Sequence, residues 1–134
     1  MSVLAARQTP ILPITGTDLS ALLGKLITFS AGVPAVSASA TVPAVAIVLD
    51  GNIATKNSSV GFLAANLPPV RAKISATATA ISLGDTLQQS TDGTLTNDAG
   101  TGARVVVGVC TDPNGAVAGD LCEVAFFAGG DIRS

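Results

Sequence analysis

From residue 25 onward the apolar positions fall in short runs, some alternating with polar residues and some continuous. In "VRAKIS" (70–75) the alternation sets Val70, Ala72 and Ile74 on one face and Arg71 and Lys73 on the other. A period of two is the spacing of a half-buried strand, and "KLITF" (25–29) follows the same rule. "AVAIVL" (44–49) and "VGFLAA" (60–65) read as buried strands, and "RVVVGV" (104–109) and "LCEVAFF" (121–127) complete the set. Turn-forming pairs lie between them: Asp50-Gly51, Asp92-Gly93, Asn114-Gly115 and Gly119-Asp120. Short strands punctuated in this way predict an all-β fold, a small barrel or sandwich. "TDLSALLGKL" (17–26) carries the one helical signature. Thr17 or Asp18 caps it and Gly24 ends it, so at most one short helix is expected.

Residues 1–17 read as an extended N-terminal arm, followed by a single β domain over 18–134. Pro10 and Pro13 lie within four residues of each other, and Pro fixes φ and removes a backbone donor. The stretch Pro10, Ile11, Leu12, Pro13, Ile14 therefore presents apolar side chains on backbone that cannot be helical. Such a segment is expected to lie against another surface.

A weak repeat organises the domain. "LLGKLITFSAG" (22–32) is echoed by "SLGDTLQQSTDG" (82–93), and each leads through a small-residue loop to a Val-rich run and then to an apolar strand ending near Phe. Residues 22–65 and 82–127 thus read as two similar β units, each too small to cover its own apolar face. The loops 30–44 and 90–103 occupy equivalent places, and at least one of them is expected to touch a partner.

Composition sharpens this picture. Apolar residues make up 48% of the chain, yet there is no Trp, Tyr or His and only four Phe, so the core is aliphatic. Charged residues are 12%, about half the usual share for a soluble domain. A surface that poor in charge suggests cover by other subunits. The net charge of −2 and scattered Lys and Arg give no basic surface for phosphates, so no nucleic acid partner is expected. The uncharged run "LITFSAGVPAVSASATVPAVAIVL" is long enough to span a bilayer, but Gly32, Pro34 and Pro43 break it, so no membrane partner is expected either. The first residues lack the basic flank and continuous apolar stretch of a secretory signal.

Without His, the usual general base and the Ser-His and Cys-His pairs are missing. Asp50, Asp92, Asp98, Asp112 and Asp120 lie mostly in turns, where Asp serves its own backbone. "DPNGAVAGD" (112–120) lacks calcium-loop spacing, and Cys110 and Cys122 have no further ligands to complete a zinc site. Neither a catalytic, a cofactor nor a metal site is expected. The two cysteines flank a turn in aliphatic runs, which favours buried thiols that act as small apolar fillers; a disulfide and a reactive thiol remain the alternatives. A small ligand- or glycan-binding β module is the other function class, disfavoured by the lack of Trp and Tyr platforms. A metal-dependent enzyme built on turn carboxylates is a third.

Three segments of the C-terminal half carry a family likeness: Gly84-Asp85-Thr86-Leu87, Val106-Val107-Gly108-Val109, and Ala116 through Val124 ("AVAGDLCEV"). Together they resemble the small capsid decoration, or cement, proteins of tailed bacteriophages. Thr86 stands where that family usually has an apolar residue. The resemblance implies a non-enzymatic virion protein, made in the host bacterial cytoplasm, that binds the outer surface of the capsid and cements neighbouring capsomers. It implies the major capsid protein as partner and a homo-oligomer, with trimer favoured over dimer. The residues Pro10–Ile14 then become a candidate capsid contact.

Overall fold

The computed structural model describes residues 10–52 and 56–134. It is all-β, with two five-stranded antiparallel sheets and one 3₁₀ turn at Ser20–Leu22. The first sheet contains β1 (Ile11–Ile14), β2 (Leu26–Ser30), β3 (Val33–Val36), β4 (Ala46–Asn52) and β5 (Asn57–Phe62), in the order β1-β5-β4-β2-β3. The second contains β6 (Val70–Lys73), β7 (Thr86–Gln89), β8 (Leu95–Asn97), β9 (Arg104–Cys110) and β10 (Leu121–Arg133), in the order β6-β10-β9-β7-β8. Raising each label of the first sheet by five reproduces the second. The fold is therefore two similar β units in tandem, and each opens with a strand, β1 or β6, outside the limits that the sequence echo marks.

The continuous apolar runs are explained by burial on two faces. In the first sheet, Leu26 and Ile47 point into a large cluster shared by both units, with Ile74, Leu87, Leu95, Val105, Val107 and Val124. Their neighbours Ile27, Ala46 and Val48 point the other way, into a smaller cluster with Leu19 and Val60. Leu12 and Ile14 of β1 and Leu22 of the 3₁₀ turn pack on that second cluster. Each fully buried aliphatic side chain contributes on the order of 2 kcal/mol.

The turn at Asp92-Gly93 forms as expected, with Gly93 at φ +79°, and Gly115 and Gly119 also adopt positive φ. Asp50-Gly51 does not form a turn: β4 runs on to Asn52, with a register shift between Val48 and Asp50. Gly51 serves instead for close approach, because a Cβ there would collide with the backbone of Ser20 in the 3₁₀ turn. The β4–β5 ladder extends to the pair Asn52 and Asn57, and residues 53–55 lie outside the described residues.

The units are joined through the backbone as well as the core. Lys73 N–H donates to Gly24 C=O at 2.8 Å, Leu26 N–H to Gly93 C=O at 2.8 Å, and Val105 N–H to Ala40 C=O at 3.0 Å. Gly24 sits at φ +76°, and a Cβ on it would lie 2.7 Å from Leu121 and 3.0 Å from the Lys73 nitrogen. Only Gly permits the two units to meet so closely there.

Candidate functional site

The contact residues expected at the N-terminus are extended, and they pair with the chain's own first sheet. Ile11, Leu12, Pro13 and Ile14 face Gly61, Val60, Ser59 and Ser58 of β5. Pro10 is buried and its carbonyl accepts from Phe62 N–H at 3.0 Å. Alternation then divides the strand. Leu12 and Ile14 are half-buried against the smaller core cluster, whereas Ile11 and Pro13 are exposed. Both prolines are tolerable because β1 is an edge strand, where a missing N–H need not interrupt a ladder. The remainder of the expected arm, residues 1–9, lies outside the described residues.

A pair of hydrogen bonds secures the segment after β1. Ser58 Oγ donates to Thr17 C=O at 2.9 Å and accepts from Leu19 N–H at 2.8 Å. Beside it, Pro13, Ile14, Thr15, Asp50, Gly51 and Ser58 line part of a shallow depression of about 380 Å³. A single carboxylate, Asp50, faces it, with hydroxyl groups around it. Nothing in that set activates a nucleophile or completes a cation shell.

The expected contact loop 30–44 contains β3, and the loop that follows it, 37–45, is held by a residue that polarity alone conceals. Gln89 is 1% exposed. Its Oε1 accepts from Ala44 N–H at 2.7 Å, and its Nε2 donates to the carbonyls of Ser39 and Val42 at 2.9 Å each. The side chain of the second unit thereby fixes the loop of the first. The signal was its alternation with Leu87, which places Gln89 on the core side of β7. The fixed loop carries Val42 and Val45 outward, 60% and 44% exposed. Val45 C=O accepts from Leu63 N–H, and Leu63 C=O from Gly129 N–H, so this loop adjoins the far half of β10 with its exposed Phe127 and Ile132. All four of these apolar residues are exposed.

The other expected loop, 90–103, contains the short strand β8, and the turns on either side of it are pinned by carboxylates. Asp92 accepts from Thr94 through both its backbone N–H and its hydroxyl. Asp98 accepts from Gly100 N–H at 3.0 Å and pairs with Arg104 at 2.5 Å. The Gly100 hydrogen bond, aided by Arg104 and then Arg133, holds the Asp98 carboxyl below the usual carboxylate range. These are turn-stabilising roles.

Cys110 on β9 and Cys122 on β10 are buried free thiols with their sulfurs 3.3 Å apart. Burial, followed by the neighbouring Cys110, pushes the Cys122 thiol up to about 12. Among the described residues no three His, Cys, Asp or Glu side chains are grouped to hold a metal ion. Among them, too, no helix is long and apolar enough to cross a membrane.

The arrangement is that of a duplicated antiparallel β domain in which Asp92 and Asp98 brace turns while Ser58 and Gln89 tie down segments distant in the chain. The fold matches a solved structure described as the head fiber gp8.5 N base in bacteriophage phi29, with a TM-score of 0.54 and 20% sequence identity. The match covers 92% of this chain and 99% of that one, so the two share a fold almost end to end. No protein-family model matches the chain, and no curated protein matches it.

Proposed function

We propose that the chain is a structural protein of a bacteriophage virion, without catalytic activity, that sits on the outer surface of the head. The observation that carries this reading is the fold shared end to end with a head fiber base. The sequence resemblance to capsid decoration proteins, the charge-poor composition and the exposed apolar side chains Val42, Val45, Phe127 and Ile132 support it. In this reading the chain contacts the major capsid protein through those side chains and through the outer side of β1, where Ile11 and Pro13 are exposed. It acts as a homo-oligomer, a trimer, bridging neighbouring capsomers. Many copies of a modest contact then raise the free energy needed to separate capsomers.

A second reading concerns what the head-bound domain does there. The solved neighbour is a fiber base, which favours an anchor for a projecting structure over a cement. One experiment addresses both. Purified protein is mixed with expanded heads lacking surface proteins and then sedimented. Saturable co-sedimentation is expected, and failure to pellet with heads overturns head binding. If bound protein raises the temperature at which heads rupture, it is a cement; if heads bind it without any gain in stability, it is an anchor.

A further inference from the structure

The sulfur pair in the last two strands has an arrangement that core filling does not require. Cys110 lies opposite Val124 in the β9–β10 ladder, and Cys122 stands two residues before Val124 in β10. With a period of two, both side chains project from the same face, as diagonal neighbours across the ladder. Both belong to the shared core cluster, and their sulfurs touch at 3.3 Å. Among the described residues no third His, Cys, Asp or Glu is grouped with them.

We propose that Cys110 and Cys122 form a latent disulfide that staples the closing strands of the second unit when the protein meets a low-molecular-weight disulfide such as oxidised glutathione. The exchange balances without any further reactant. One cysteine thiolate attacks a sulfur of the glutathione disulfide, breaks its S–S bond and releases one glutathione. The second cysteine thiolate then attacks the mixed disulfide, forms the Cys110–Cys122 bond and releases the second glutathione. Two electrons pass from the cysteine sulfurs to glutathione, and the two thiol protons leave with it. The sulfurs need to close from 3.3 Å to about 2 Å, through side-chain rotation and a small shift of the strands.

Burial shields both sulfurs from reagents while the strands are paired, so exchange proceeds through opening of β10 from β9. Once formed, the bond closes a loop between residues twelve apart and restricts that opening. The second unit then gains a covalent tie that the first unit, without cysteine, does not have.

The test measures the disulfide equilibrium in the full chain. Folded protein and protein in concentrated guanidinium chloride are equilibrated with defined ratios of reduced to oxidised glutathione. The intramolecular bond is quantified by intact mass as loss of two hydrogens. If the native fold favours the bond, its effective thiol concentration is higher than that of the denatured chain, by about tenfold to a hundredfold. Equal or lower values in the folded state overturn the proposal, as does oxidation that yields only disulfide-linked dimers. The Cys122→Ser variant, and Cys110→Ser if the first fails to fold, is expected to stop at the mixed glutathione adduct.

Discussion

In the first unit, the segment between the opening strand and the next crosses the outer face of the sheet, and its Leu19 and Leu22 build the smaller core cluster with Ile27, Val48 and Val60. In the second unit the corresponding segment turns the other way. Its Ile74, Ala78 and Ile81 join the shared core, and an isolated bridge ties Ile81 to Ala116. The outward positions of the second sheet are accordingly more polar, with Thr86 and Gln88 half-buried beside a fully buried Val106. One topology therefore admits two ways of covering a sheet, chosen by where the linker places its apolar residues. The closing strands differ as well: β5 has 6 residues and β10 has 13. The longer strand carries the exposed Phe127 and Ile132, which add to the candidate contacts that the first unit offers at Ile11, Val42 and Val45.

If the shared cluster binds the units into one cooperative body, Leu26→Ala is the most damaging of the changes considered. We expect a loss of about 4 kcal/mol, against about 2 kcal/mol for Leu19→Ala in the smaller cluster, read from urea unfolding midpoints. Reversal of that order contradicts the assignment of the shared cluster as the main core. Gln89→Ala strips one acceptor and two donors from the loop of the other unit, and about 3 kcal/mol is expected. Hydrogen exchange is expected to rise at Ala44 before it rises in β9. Deleting residues 1–14 removes an edge strand and the half-buried Leu12 and Ile14. A loss of about 2 kcal/mol follows, concentrated in the first unit, while the second keeps its exchange protection. An unchanged midpoint after this deletion places Pro10–Ile14 outside the stable fold.

The smallest effect is the pH response of Asp98. Its folded carboxyl is lowered, so the stability it contributes is present above the unfolded value near 4 and is lost as pH falls through the folded value. Asp98→Asn is therefore expected to flatten the acid limb of a stability-against-pH curve below about pH 4, with little change in its shape at neutral pH. A limb of unchanged slope contradicts the Gly100 and Arg104 account.

Much of the fold was legible because burial leaves a period in the sequence. "VRAKIS" reads correctly since Ala72 and Ile74 are buried and Arg71 is exposed. The two-unit reading follows from the echo around Gly24 and Gly84. Other features depend on partners distant in the chain. Asp50-Gly51 has the composition of a turn, yet Gly51 is set by the backbone of Ser20. Prolines at 10 and 13 indicate extended backbone, but which edge receives it is a property of β5. Gln89 shares the core face of β7 with Leu87, but the partners that satisfy it lie in loop 37–45, far away in the chain. The thiol contact depends on the β9–β10 register, which no local pattern encodes.

The central proposal concerns place: we propose that this duplicated β domain binds the outside of a phage head. A cryo-EM map of heads incubated with the purified protein, at a resolution that separates strands, tests it most directly. The proposal predicts two-sheet density on the outer surface, across the junction of neighbouring capsomers, with Val42, Phe127 and Ile132 or the β1 edge toward the shell. Heads that carry no such density, or density confined to the interior, contradict it.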